Sequence, residues 1–220
     1  SGRVAVIDPT SWTVRRTFQL VDDLILNPLA ISPDRRTVAL AAPRVVAISD
    51  INGTHRRQVP VGPVRATAVA FQPDGRGLGA VVEDGRVLVI DPTTARVRTT
   101  LVSNLAISLA FDRTGTTLAT GGGDGSVVLW SLGDGRPLGP PLTSSQHGSV
   151  VETLTFSANG ETVFAGSSNG SLVRYQPASS RWIDRLCAVI GRNLTSAERH
   201  AYLADSNAGR RTCPNWPVEP

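Results

Sequence analysis

The chain has 220 residues, 40% of them apolar, with a formal net charge of +4, enough for one or two globular domains with a buried core. No apolar run approaches the roughly 18 residues of a membrane-spanning helix, and the first residues lack the charged-then-apolar layout of a secretion signal. All 22 basic residues are arginine, and their doublets, Arg15-Arg16, Arg35-Arg36, Arg56-Arg57 and Arg210-Arg211, are spread along the chain. A nucleic-acid binder concentrates its basic residues, so the pattern reads as solvated arginines and argues against a nucleic-acid partner.

Methionine is absent, at position 1 as elsewhere, so the chain reads as part of a larger polypeptide and Ser1-Gly2 as a tag remnant. Residues 1–20 carry two strands, Arg3 onwards and Val14–Leu20. From residue 21 to 178 one pattern recurs. Ala30-Ile31-Ser32-Pro33-Asp34 returns as Ala70-Phe71-Gln72-Pro73-Asp74, Ala110-Phe111-Asp112-Arg113-Thr114 and Thr155-Phe156-Ser157-Ala158-Asn159, at successive offsets, starting from Ile31, of 40, 40 and 45. A second column, Val4, Val45, Val87, Val127 and Leu172, keeps offsets of 41, 42, 40 and 45. Two independent columns with one period mark a structural repeat.

Within each unit, short apolar runs rich in valine, isoleucine and threonine are parted by Pro-Asp-Gly, Asp-Gly or Asn-Gly, which supply the positive φ of tight hairpin turns. The third unit predicts four antiparallel strands: Val69–Phe71, Leu78–Val82, Val87–Ile90 and Val97–Leu101. Such a unit cannot bury both faces alone, so units stack radially into an all-β propeller. With strands labelled A to D from the channel outward, the units hold two, four, four, four and three strands. That makes about four to five blades, the first and last partial, and reads as the C-terminal portion of a larger propeller.

These residues resemble known families. Leu118-Ala119-Thr120-Gly121-Gly122-Gly123-Asp124-Gly125-Ser126-Val127-Val128-Leu129-Trp130 looks like strands B and C of a WD40 blade, and His147 precedes Phe156 at the spacing of the family's Gly-His histidine. Gly2–Thr10 and Gly85–Thr93 resemble YVTN-type propeller repeats. The WD40 resemblance implies a hydrogen-bonded tetrad of turn aspartate, strand-B Ser/Thr, strand-C tryptophan and D–A histidine. By position Thr120, Asp124 and Trp130 supply three members in the fourth unit, with Val102 where its histidine should be. The fifth unit has His147 but Gly166, Asn169 and Tyr175 elsewhere. These tetrad-like residues are expected to be structural.

Nothing else points to chemistry. Gly121–Gly125 lacks the Lys-Ser/Thr of a phosphate loop and joins two strands. His55, His147 and His200 lie away from any nucleophile signature. Two cysteines 26 residues apart, with no paired cysteines, make zinc an unfavourable reading. No catalytic residue, metal or cofactor is therefore expected. The alternative, a propeller lyase or lactonase, needs polar side chains converging at the channel mouth.

Residues 179–220 change period. Trp182, Leu186, Val189 and Ile190 form a helical stripe behind an N-cap at Ser180, and Thr195 with Glu198 has the spacing of a capping box for a second helix reaching about Ala204. The segment Trp182–Pro217 resembles tails of actinobacterial signalling proteins in which a STAND ATPase precedes a WD40 propeller. The resemblance implies a sensor or partner-binding end. Both cysteines lie in this tail. Cys187 and Cys213 are read first as a disulfide staple and otherwise as free thiols; a persistent disulfide points to the extracytoplasmic side of a membrane-anchored bacterial protein, free thiols to the cytoplasm. Together these observations predict a non-catalytic protein-interaction or sensing scaffold. Its partner is another protein or a domain of its own full-length chain, with no small-molecule substrate evident. The expected recognition loops are Asp22–Pro28 and Pro137–Ser149.

Overall fold

The computed structural model describes residues 2–22, 28–103, 105–143 and 149–176, with Asn193 and Thr195. The chain divides into two units, Ser1–Tyr175 and Gln176–Pro220, and the architecture that follows is that of the first. The expected tail helices, apart from Thr195, lie outside the described residues, as do His147, Cys187 and Cys213.

Strand β1 (Arg3–Ile7) pairs with β2 (Val14–Gln19) in a two-stranded antiparallel sheet. A six-membered run follows: β3 (Leu29–Ile31), β4 (Thr37–Asp50), β5 (Arg57–Phe71), β6 (Leu78–Val82), β7 (Arg86–Asp91) and β8 (Arg96–Val102). It contains two blades. The Ile51 amide donates to the Arg36 carbonyl at 2.8 Å, whereas an extended strand between them would span about 50 Å at ~3.3 Å per residue. β4 therefore folds back on itself near Arg44, whose φ is 66°, and supplies strands B and C of the second blade. β5 bends at Gly62, with φ 96°; its first part pairs with β4 through Val46 and Val59, its second with β6 through Val69 and Ala80. One ladder element thus joins the outer strand of one blade to the inner strand of the next.

The fourth blade holds β9 (Ala106–Phe111), β10 (Thr117–Gly122) and β11 (Ser126–Ser131), with β12 (Arg136–Pro137) and β13 (Leu142–Thr143) both paired to β11. These two are one outer strand interrupted where Pro140 and Pro141 cannot donate to the ladder. β14 (Val151–Phe156), β15 (Val163–Ser167) and β16 (Leu172–Tyr175) form the fifth. The expected all-β blades are therefore present among the described residues. The first repeat column marks one structural place: Ile31, Phe71, Phe111 and Phe156 each end an inner strand. The turn that follows is conserved in geometry. Ser32, Gln72, Asp112 and Ser157 accept from the amides of Arg35, Gly75, Gly115 and Gly160 at 2.8, 2.9, 3.1 and 2.8 Å.

The core lies between blades. On β6, Leu78, Ala80 and Val82 join Ala39, Val46 and Ile48 of the preceding blade, while Val81 joins Leu118 and Trp130 of the following one. Side chains alternate across a strand, so a strand sandwiched between two sheets must be apolar at every position, and all five β6 residues are buried. Val4 and Phe18 meet Val38 and Ala47 in the same way, and Ala119 and Val127 meet Val151 and Val163. Close approach requires small residues: a Cβ on Gly121 would stand 2.5 Å from the Val151 Cγ1.

Candidate functional site

Of the residues picked out by the tetrad pattern, Thr120 and Trp130 sit at the contact of the third and fourth blades. Thr120 on β10 and Trp130 on β11 share a sheet face, because Trp130 lies opposite Leu118, two residues from Thr120. The buried Trp130 indole N–H donates to the Thr120 hydroxyl at 2.9 Å. The third member comes from the preceding blade, where the Ser103 Oγ lies 3.3 Å from Thr120 Oγ1. Ser103 is itself held by its amide, which donates to the Gly85 carbonyl at 2.9 Å. This corrects the expectation that Val102 takes the histidine's place: Val102 is 68% exposed and Ser103 only 6%. Alternation along β8 decides it, since Leu101 points inward and Val102 outward.

Asp124 is not brought to Thr120. Its Oδ1 accepts from the Ser126 amide at 3.0 Å and the Ser126 hydroxyl at 2.7 Å, and the hydroxyl bond is the main reason its carboxyl is held below the usual range. The glycines around it close a turn between two strands. The Trp130–Thr120–Ser103 chain links three neutral groups, none of which is a base at neutral pH, so its chemistry is that of a satisfied buried network.

A second constellation repeats at the turns between strands C and D. Asp91 accepts the Thr93 and Thr94 amides at 2.8 and 3.1 Å and the Arg98 guanidinium at 2.5 Å. Asp8 does the same with Thr10, Ser11 and, seven residues on, Arg15. The Arg98 bond, followed by the Thr94 amide, holds the Asp91 carboxyl down at about 2. Solvent-facing groups tied this way close turns and leave nothing free to react.

Exposed apolar side chains mark a different place, the rim where β8 leads into β9. Val102 is joined there by Leu105 and Ile107, 60% and 37% exposed. Leu105 has φ 67°, and its carbonyl accepts the Gly123 amide at 2.8 Å. A Cβ on Gly123 would come within 3.2 Å of Ile107 Cδ1 and 3.9 Å of Leu105 Cβ, so these two aliphatic side chains lie beside the Gly123 turn. Sequence reasoning looked instead to the longer loops Asp22–Pro28 and Pro137–Ser149, whose residues 23–27 and 144–148 lie outside the described ones.

Two spans of the chain match a known repeat. Residues 97–131 and 139–175 match the model of the WD domain, G-beta repeat. Each WD repeat covers an outer strand and the three inner strands of the next blade, β8 to β11 and β13 to β16. The chain is also 28% identical over 128 residues, 58% of its length, to Protein tipD of Dictyostelium discoideum, of which the match covers 20%. Over 169 residues, 71% of the chain, it is 28% identical to the Target of rapamycin complex subunit wat1 of Schizosaccharomyces pombe, covering 50% of that protein. The chain thus spans half or less of these relatives. Neither they nor the WD repeats support the STAND ATPase context or actinobacterial origin implied by the tail.

Two outcomes follow from these sites. Thr120→Val keeps the volume but strands the Trp130 N–H and the Ser103 hydroxyl, and is expected to lower unfolding free energy by about 1–3 kcal/mol. Ser103→Ala, which leaves the indole bond intact, is expected to cost less; urea unfolding compares the two. For Asp91, a carboxyl pKa depressed on folding contributes stability that is complete above the normal carboxylate range and lost as pH falls from 3.8 towards about 2. NMR titration of the Asp91 carboxyl carbon should therefore give a midpoint near the low value, moving up towards 3.8 in Arg98→Ala.

Proposed function

We propose that this chain is a non-catalytic protein-interaction scaffold, in which stacked blades hold a rim surface rigid for another protein or for another domain of its own full-length polypeptide. The observation that carries this reading is the run of exposed aliphatic side chains Val102, Leu105 and Ile107 where β8 leads into β9. Aligned through the strand ends Phe71, Phe111 and Phe156, the place of Ile107 is filled by Thr67 in the preceding blade and Glu152 in the following one. The apolar character belongs to this blade alone among the three, so folding of the repeat does not demand it. Leu105 in addition occupies the left-handed region, at a cost of roughly 1–2 kcal/mol for a residue with a side chain, while its side chain stays in solvent.

A strained, exposed leucine and an exposed isoleucine at one turn are what a docking surface displays, since exposed apolar patches on a soluble fold mark interaction sites. The WD repeats and the naming of one relative as a complex subunit support the same role. The occupant that fits is a partner segment laying an apolar side chain against Leu105 and Ile107 beside the Gly123 turn. The buried triad and the turn carboxylates keep the surface stiff and take no part in chemistry.

Panning a displayed peptide library on the full chain tests this. Selected peptides are expected to share an apolar anchor and to lose about tenfold or more in affinity, roughly 1.4 kcal/mol, against Leu105→Asp or Ile107→Asp, with unfolding unchanged. Leu105→Gly, which relaxes the backbone, serves as a second variant. Peptides that bind all variants equally would contradict the reading.

A further inference from the structure

Three of the turns are built on the pair Asn-Gly: Asn52-Gly53 between strands C and D of the second blade, Asn159-Gly160 between β14 and β15, and Asn169-Gly170 between β15 and β16. Glycine serves each turn for the same reason, a φ of 81°, 73° and 81° that a side chain would strain. The glycine amides donate to the carbonyls of Asp50, Ser157 and Ser167 at 3.0, 2.8 and 2.9 Å, so the three backbones are alike. An asparagine followed by glycine also carries a reaction of its own. With no Cβ in the way, the glycine nitrogen has access to the carbonyl carbon of the asparagine side chain, and backbone shape alone does not rank the three pairs.

The carboxamides differ. Asn159 Oδ1 accepts the Ser157 hydroxyl and the Glu161 amide at 2.6 and 3.2 Å, and its Nδ2 donates to Glu161 Oε2 at 3.0 Å. Asn169 Oδ1 accepts the Ser171 amide at 2.9 Å. Attack requires the reacting atoms to come within about 3–3.5 Å in alignment, and a carboxamide aimed at the amide two residues on must first give up that bond. In the second blade the acceptor's place is taken by Asp50, whose Oδ1 receives the Asn52 and Thr54 amides at 3.1 and 2.6 Å. The exposed Asn52 side chain is left with no hydrogen bond among the described residues.

We propose that Asn52 is a self-modification site, at which the folded chain deamidates ahead of its other two Asn-Gly turns. The Gly53 nitrogen bonds to Asn52 Cγ, and the proton it gives up leaves with the side-chain nitrogen as ammonia, closing a succinimide. Water then opens the ring at either carbonyl, giving aspartate or isoaspartate, and no oxidant or cofactor enters. The turn is placed so that the product is felt beyond it. The Asn52 carbonyl accepts Arg16 Nη1 of the first blade at 3.1 Å, and a Cβ on Gly53 would stand 2.5 Å from Phe18 Cγ. In the isoaspartate the oxygen that Arg16 holds belongs to a carboxylate, and the main chain gains a methylene beside Phe18. A chemical change in one turn thereby alters the contact between the first and second blades.

The test is peptide mapping by mass spectrometry of the full chain incubated at mildly alkaline pH, with fragmentation that separates aspartate from isoaspartate. In the folded chain Asn52 is expected to convert about fivefold or more faster than Asn159 and Asn169, the factor that one net hydrogen bond is worth. In concentrated guanidinium chloride the three rates should converge, because each pair is then an Asn-Gly in an open chain. Glu161→Ala, which removes the acceptor for Asn159 Nδ2, should quicken Asn159 and leave Asn52 as it was. No conversion at Asn52 in the folded chain, a rate there no greater than at Asn159 or Asn169, or an order that persists in guanidinium chloride would overturn the proposal.

Discussion

The structure depends on one packing constraint: the two faces of each inner blade are buried against different neighbours. Alternate side chains of the same strand enter different clusters, as Leu78 and Val81 do on β6. A single blade removed from its neighbours would expose an apolar face on each side, so its stability resides in the interfaces. The covalent repeat reinforces this. Each matched WD repeat begins in one blade and ends in the next, and β5 is at once the edge of one sheet and the inner strand of another.

That arrangement sorts the residues by task. Strand interiors are committed to packing, and the small residues Ala39, Ala80, Ala119 and Gly121 set how closely sheets approach. Turn carboxylates are committed to backbone amides, which fixes the loops without offering a reactive group. What the turns do not consume are exposed side chains, such as Val102, Leu105 and Ile107 where β8 leads into β9. Packing places no demand on such exposed positions, which is how a repeat fold can carry different partners on similar blades.

Much of the fold was legible because period-two strands and glycine turns write their geometry into local sequence. The columns through Phe71, Phe111 and Phe156 and through Val87 and Val127 reappear as strand ends and strand starts. The fold-back of β4 was less visible, since Ala42-Pro43-Arg44-Val45 contains no Asn-Gly or Asp-Gly and places an arginine at positive φ. The network was read one residue out of register: Val102 was taken for the inward place, although alternation from Leu101 puts Ser103 there. The exposed apolar rim was not evident in the sequence. Leu105 and Ile107 are set beside the Gly123 turn by the folding of the blade, and nothing in their spacing from Gly123 along the chain announces it.

The central claim, that blades are stable only through one another, is tested most directly by native-state hydrogen exchange. The amides of Leu78–Val82 in β6 and of Leu118–Gly122 in β10 are central to adjacent blades. The account predicts that they exchange with the same free energy and the same denaturant dependence, as parts of one cooperative unfolding event, and that Thr120→Val lowers both together. Contradiction would come from β10 exchanging at a distinctly lower free energy while β6 keeps its protection, with the substitution felt in the fourth blade alone.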